Sequence, residues 1–343
     1  MIITAVLPAL SKEASIGNIV LSEIAEYKDD KQISHPYNEV KGAVLNLHQF
    51  NGHNIGVIIP AYNEENLIGE TINGIPEYVK RIYVIDDCST DSTPEIVKRL
   101  TDPRIVSVRH EKNQGVGAAI ISGYKLALED NIDIAVVMAG DNQMDPKQLP
   151  KLLEPIVEGR ADFTKGNRII RGYWKGMSKW RLSGNFLLTW LNKIASGYWN
   201  ISDPQNGYVA ISVSSLRKFN LDSLYGGFAF ENDMMIKSNI LGIRMMNVPI
   251  PARYGKEKSK IRYNRFIIHT SWFLLISFLY RISNKYLFRF HPIGIFYFTG
   301  FILIIFGIVL LLFWPVLILG LVSFTFGIAL EMKEINKSQL RGL

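Results

Sequence analysis

The 343-residue chain has a single cysteine, Cys88, so neither an intramolecular disulfide nor a cysteine-rich metal site can form. Cys88 ends a strand-like run, where a small packed residue is the ordinary role. The first residues lack a basic start and a long apolar core, so a signal peptide is not expected. Zinc-finger spacing and aromatic RNA-binding signatures are also missing, so the net charge of +7 points away from nucleic acid. Charge itself is scarce between Ile293 and Leu330, which are almost wholly aliphatic and aromatic.

The rest is different material. Residues 55–253 mix charged, apolar and glycine residues as a soluble α/β domain does, and the length suffices for one large or two modest cores. Short apolar runs alternate with helical patterns. Gly56–Pro60 reads as a buried strand, Asn66–Val79 as a helix and Arg81–Asp87 as a strand. Asp91–Leu100 follows as a helix, then Ile105–Val108 as a strand, Gly117–Leu128 as a helix and Ile134–Met138 as a fourth strand. This order implies a mostly parallel sheet covered on both faces, with ligands bound beyond the carboxyl ends of the strands.

The apolar tail reads as a transmembrane hairpin. Ile293–Phe313 has about the twenty residues a span needs, Trp314-Pro315 punctuates it, and Val316–Leu330 is a second, shorter run. Arg281, Lys285 and Arg289 precede it and Lys333, Lys337 and Arg341 follow, which puts both ends on the cytoplasmic side. Phe266–Tyr280 is apolar but holds His269 and is flanked by arginines, so an interfacial helix is expected there rather than a third span. Lys256, Lys258, Lys260, Arg262 and Arg265 crowd just before it, suited to anionic lipid headgroups or a phosphate substrate. The apolar tail also offers a surface for homo-oligomerisation.

Residues 6–17 align without a gap to residues 58–69: Pro8, Ala9, Glu13, Ile16 and Gly17 match Pro60, Ala61, Glu65, Ile68 and Gly69. Residues 1–52 are read as an extension carrying a degenerate copy of the first strand–turn–helix unit. The remaining boundaries are 53–255 for the catalytic domain, 256–291 for the basic loop and interfacial helix, 292–332 for the hairpin and 333–343 for a basic cytoplasmic tail.

Polar motifs follow the strands. Pro60-Ala61-Tyr62-Asn63-Glu64 presents amides, an aromatic face and a carboxylate. Asp86-Asp87-Cys88-Ser89-Thr90-Asp91 sets two carboxylates side by side, which is costly unless they are solvated, hydrogen-bonded or paired with a cation or donor. Helix capping explains Ser89 or Asp91 alone. Asn113-Gln-Gly115-Val-Gly117 lacks the third glycine of a dinucleotide fingerprint and follows the third strand, which argues against that reading.

Together these motifs, over residues 55–255, resemble the family 2 glycosyltransferases with the GT-A fold, and in particular their polyprenyl- and dolichyl-phosphate sugar transferases. The resemblance implies that Pro60, Ala61, Tyr62, Glu64 and Asp87 hold the base and ribose of a nucleotide sugar, GDP- or UDP-linked, with Asp87 accepting from the base. It implies that Gly115 and Gly117 let the backbone approach the nucleotide. Met138-Ala139-Gly140-Asp141-Asn142-Gln143 occupies the place of the family's Asp-x-Asp motif, with Ala139 at the first Asp position. Asp141 and Gln143 then remain as ligands for Mg2+ or Mn2+ on the donor diphosphate; Asp145 either joins them or caps the following helix.

Arg168 and Arg181 match arginines that bind the donor diphosphate and the acceptor phosphate, for which a guanidinium fork is suited. Asp203-Pro-Gln205-Asn206-Gly207 resembles the segment shaping the sugar pocket, and Glu231 and Asp233 the place of a base or a donor-sugar ligand. Residues 249–260 resemble a loop closing over the donor, with Lys260 where a lipid phosphate would lie. The expected activity is inverting transfer of a hexose, mannose or glucose, to dolichyl or polyprenyl phosphate by an integral membrane enzyme whose catalytic domain is cytoplasmic. A sugar-hydroxyl acceptor with a carboxylate base, and an inactive scaffold subunit, are the alternatives. No Gln-x-x-Arg-Trp motif of processive synthases is present.

Overall fold

The computed structural model describes residues 50, 52–169, 179–251, 263–309 and 314–340. The repeat at residues 6–17, the basic cluster at 256–262 and the extreme carboxyl end fall outside them. Residues 53–343 form one compact unit.

The seven strands are β1 (Ile55–Ala61), β2 (Arg81–Asp86), β3 (Ile105–Arg109), β4 (Ile134–Val137), β5 (Phe163–Asn167), β6 (Val209–Ser212) and β7 (Met245–Pro249). The helices are α1 (Ile68–Asn73), α2 (Thr93–Arg99), α3 (Val116–Glu129), α4 (Leu149–Val157), α5 (Lys179–Ser196), α6 (Val213–Leu216), α7 (Phe230–Ile240), α8 (Tyr263–Ile282), α9 (Pro292–Val309) and α10 (Trp314–Leu340). The sheet order is β3-β2-β1-β4-β6-β5-β7. Neighbours pair in parallel except at β6, which runs antiparallel to both β4 and β5. The expected α/β sheet is therefore present, with one reversed strand inserted.

Every residue of β1 is buried, as a central strand covered on both faces requires. A fully buried aliphatic side chain contributes about 1.5–3 kcal/mol, so this strand is a main anchor of the core. Helix α1 is much shorter than the expected run to Val79. Gly74 ends it, and Pro76 then disfavours a helical Ile75.

The tail departs further from expectation. Helices α9 and α10 lie antiparallel and in close contact. A Cβ on Gly300 would come within 2.7 Å of the Phe324 amide nitrogen, and one on Gly320 within 2.8 Å of the Ile304 nitrogen. Small residues let the two backbones approach, as in membrane helix pairs. Only Trp314–Ile335 is long and apolar enough to cross a bilayer among the described residues; the apolar part of α9, Pro292–Ile308, is shorter. The expected first run reaches Phe313, and its last four residues lie outside the described ones. Pro315 sits in the first turn of α10, where a proline is tolerated, and the helix runs on past the apolar stretch to Leu340.

Helix α8 packs against α5 and α7, yet Trp272, Leu275, Ile276, Leu279 and Tyr280 are exposed. It does not pass as a span; an exposed apolar face on a helix beside the hairpin suits an interface. Arg281, expected as part of a basic flank, is instead fully buried and paired with Glu331 of α10.

Candidate functional site

Because β1, β2, β3, β4 and β5 point the same way, their carboxyl ends bring the expected motifs to one edge of the sheet. The turn after β1 is fixed by hydrogen bonds from the next unit. The Asn63 amide donates to Ser89 Oγ (3.0 Å), the Glu64 amide to Thr93 Oγ1 (2.8 Å), and the Thr90 amide to Asn63 Oδ1 (2.8 Å). Asn63 has φ of 57°, a left-handed conformation that asparagine tolerates. Tyr62 is left 45% exposed, and Glu64 Cγ lies 3.5 Å from where a Cβ on Gly140 would stand. Pro60 and Ala61 close β1 beneath them. Glu64 and the β4 turn thus lie side by side at the carboxyl edge of the sheet.

The acidic pair after β2 is resolved by partners within the protein. Asp86 Oδ1 accepts from the Ser89 amide (3.0 Å), and its Oδ2 faces Arg109 Nε at 3.2 Å. Asp91 caps locally, accepting from the Thr93 amide and hydroxyl. Asp87 is buried: Oδ1 meets His110 Nδ1 (2.7 Å) and the Gln114 amide (2.9 Å), and Oδ2 the Gly115 amide (2.7 Å). The opposite His110 nitrogen, Nε2, meets Ser122 Oγ at 2.9 Å.

Gly115 caps α3 and Gly117 lies in its first turn, packed against another loop. Gly115 adopts φ of 95°, and a Cβ on Gly117 would lie 2.6 Å from Tyr225 O and 2.7 Å from Gly226 C. The Ala118 amide donates to Gly226 O (2.9 Å). The space beside Gly117 is therefore filled by the 225–227 loop, and close protein packing is what forbids a side chain there. Asp233, expected as catalytic, anchors the same loop: its Oδ2 accepts from the Tyr225 amide (2.9 Å) and Lys237 Nζ (2.7 Å). That oxygen of Asp233 is thus engaged within the protein.

After β4, Asp141 Oδ1 accepts from the Gln143 amide (3.1 Å). Burial pushes its carboxyl above the usual range, while the nearby Arg168 charge acts the other way. Asp145 takes the capping role, accepting from the Lys147 amide (3.0 Å). At the end of β5 the Arg168 guanidinium grips Asp203 with Nε at 2.8 Å and Nη2 at 3.1 Å, and its amide adds a third contact at 3.1 Å. Arg181 lies in the first turn of α5, with its side chain outside the described residues, as Lys260 is entirely.

Sequence reasoning passed over Lys165 and His110. Lys165 stands inside β5, buried, its Nζ donating to Asn206 O. Burial lowers its ammonium to about 8, against the pull of Glu231 and Asp203. Burial likewise raises the Glu231 carboxyl, with Lys165 opposing. Thr164, Gly166 and Asn167 surround it in β5, so no apolar pattern marks Lys165 in the sequence. His110 follows β3 directly, at the strand end where every neighbouring motif sits.

Among the described residues no group of at least three His, Cys, Asp or Glu side chains is placed to hold a metal alone. Asp141 nevertheless fits a hard divalent cation: it is a desolvated carboxylate with an amide side chain two residues on. Such ions commonly use one or two carboxylates and complete their shell with substrate phosphates and water.

Comparison with known proteins agrees with this geometry. Residues 56–220 match the model of glycosyl transferase family 2. An undecaprenyl-phosphate mannosyltransferase of Micrococcus luteus is 33% identical over 204 residues, 56% of this chain and 81% of that protein. A UDP-N-acetylglucosamine–dolichyl-phosphate N-acetylglucosaminyltransferase of Methanococcus voltae is 33% identical over 179 residues, 48% of this chain and 71% of that protein. The chain belongs to glycosyl transferase family 2 and is a glycosyltransferase. Glucosyl-3-phosphoglycerate synthase of Mycobacterium tuberculosis, solved with Mn2+, UDP and glucosyl-3-phosphoglycerate, shares the fold at a TM-score of 0.53. That match is 20% identical and covers 69% of this chain and 82% of that one.

Proposed function

We propose that the protein transfers a hexose, mannose or glucose, from a GDP- or UDP-sugar to dolichyl or polyprenyl phosphate at the cytoplasmic face of a membrane. The single observation that carries the acceptor is the exposed apolar face of α8 beside the α9–α10 hairpin, on the same unit as the sugar-nucleotide crevice. The lipid-phosphate transferases among its relatives support the same acceptor.

Pro60, Ala61, Tyr62, Glu64 and Asp87 receive the nucleotide. Asp141 and Gln143 would hold Mg2+ or Mn2+, which would neutralise charge on the departing diphosphate. Arg168, oriented by Asp203, faces the phosphates as a fixed fork, and Arg181 and Lys260 are assigned to the acceptor phosphate. A phosphate monoester is largely ionised near neutral pH, with a second pKa of about 6, so its oxygen can attack the anomeric carbon in line, with inversion, without a general base. Basic residues at both ends of the hairpin, among them Lys285, Arg289 and Lys333, support the cytoplasmic orientation.

The test is acceptor choice. Purified full-length protein in vesicles, given UDP- or GDP-hexose and divalent cation, should release nucleotide diphosphate when polyprenyl phosphate is added and not when polyprenol is added. Equal release with polyprenol would instead favour a hydroxyl acceptor, with Glu231 as the carboxylate to examine.

A further inference from the structure

The His110 imidazole has no place in the roles assigned so far, yet it joins two consecutive strand–helix units, β2–α2 and β3–α3, at the nucleotide crevice. Its Nδ1 lies 2.7 Å from Asp87 Oδ1, after β2, and its Nε2 lies 2.9 Å from Ser122 Oγ on α3. Its own amide donates to Asp86 O (2.8 Å). The side chain is 8% exposed and that of Asp87 4%.

An ionised carboxylate offers about four acceptor sites. Asp87 fills three of them within the protein: His110 Nδ1 and the Gln114 amide on Oδ1, and the Gly115 amide on Oδ2. One acceptor position on Oδ2 is left for a ligand. Nδ1 must carry the proton, since a lone pair there would face a carboxylate oxygen. Ser122 then fixes the ring from the far side, either donating to a neutral Nε2 or accepting from a protonated one.

We propose that His110 is a positioning residue for base recognition, holding Asp87 so that its one remaining acceptor meets a ring N–H of the base. This rests on the reading above that Asp87 faces the base. The consequence is selectivity for chemistry, not only affinity. Uracil and guanine present a ring N–H on their pairing edge, whereas cytosine and adenine present a ring nitrogen lone pair that a locked carboxylate repels. A site built to hydrogen-bond one donor discriminates strongly against analogues lacking it.

The experiment is calorimetry on full-length protein in detergent with Mn2+ and, separately, UDP, GDP and CDP. Either UDP or GDP should bind more tightly than CDP. His110→Gln moves the donor away from Asp87 and should weaken the preferred nucleotide about 10- to 100-fold, the worth of a charge-assisted hydrogen bond, while CDP changes little. His110→Asn places an amide N–H where Nδ1 stood and should restore binding to within about fivefold, with Ser122→Ala losing less than His110→Gln.

Unchanged selectivity in His110→Gln, an equal loss for CDP, or His110→Asn falling as far would overturn the proposal. If His110→Gln does not fold, Ser122→Ala carries the test, and undiminished selectivity there counts against it. Asp87→Asn separates the two levels. If it leaves nucleotide binding unchanged, the base assignment itself is wrong; if it removes selectivity while His110→Gln does not, only the role of His110 fails.

Discussion

Glu331→Leu would leave Arg281 as an unpaired charge without access to water. Both side chains of the pair are fully buried. Arg281 also donates to Ala195 O (2.7 Å) and Ile194 O (2.9 Å) at the end of α5, and Glu331 accepts from Tyr286 (3.0 Å) and Tyr297 (2.8 Å) hydroxyls. The cluster therefore ties the last turn of α5 to α8 and to the long apolar helix α10. Breaking a buried ion pair by removing one partner costs about 3–5 kcal/mol, whereas replacing both by apolar residues is often near neutral. Here Arg281→Met with Glu331→Leu still strands the two hydroxyls and two carbonyls, so the double variant should recover only part of the loss.

At roughly 2–4 °C per kcal/mol for a domain of this size, the single variant should melt about 6–20 °C below wild type in micelles, and the double variant should lie between them. Thermal unfolding followed by tryptophan fluorescence measures this. A Glu331→Leu shift under about 2 °C, or a double variant worse than either single one, would refute the idea that this pair fastens the catalytic domain to the hairpin.

The remaining expectations concern the crevice. Asp141→Ala should abolish transfer while leaving the fold intact by circular dichroism; near-normal turnover would remove the metal assignment. Because burial holds the Asp141 carboxyl above its usual range, protons compete with the cation, and the Mn2+ needed for half-maximal rate should rise as pH falls from about 7 to about 5. Lys165 titrates near 8 in the fold against 10.5 in the open chain, so the folded state holds fewer protons in that window. The stability of wild type relative to Lys165→Met should then be lowest below pH 8 and rise by up to about 3 kcal/mol towards pH 10.5; a pH-independent difference would contradict it. Gly117→Ala drives a methyl against Tyr225 O and should cost about 1–3 kcal/mol, read as a lowered melting temperature that Gly69→Ala, with only ordinary contact at 3.7 Å, does not reproduce.

Much of the fold was legible because its signals are local. Four apolar runs, each followed by a polar motif, identify parallel strands ending at one crevice, and Asp145 next to Pro146 reads as a helix start. What pattern could not reveal depends on partners distant in the chain. Asp87 and Asp233 look alike as carboxylates at strand and helix ends. Only the fold shows that Asp87 is held by His110 and the Gln114 and Gly115 amides, while Asp233 Oδ2 holds the Tyr225 amide and Lys237. Gly117 reads as a nucleotide-approach glycine, and only the fold sets the 225–227 loop against it. Arg281 reads as a basic flank because its partner, Glu331, lies fifty residues on, beyond an apolar stretch that hides a buried charge.

The most direct test of the whole account is to incubate membranes carrying the full-length protein with labelled nucleotide hexose and polyprenyl phosphate, then extract the lipid. Label should appear as hexose on the lipid phosphate, depend on a divalent cation, and vanish in Asp141→Ala. Label found only in glycan or protein, with none passing through the lipid phosphate, would contradict it.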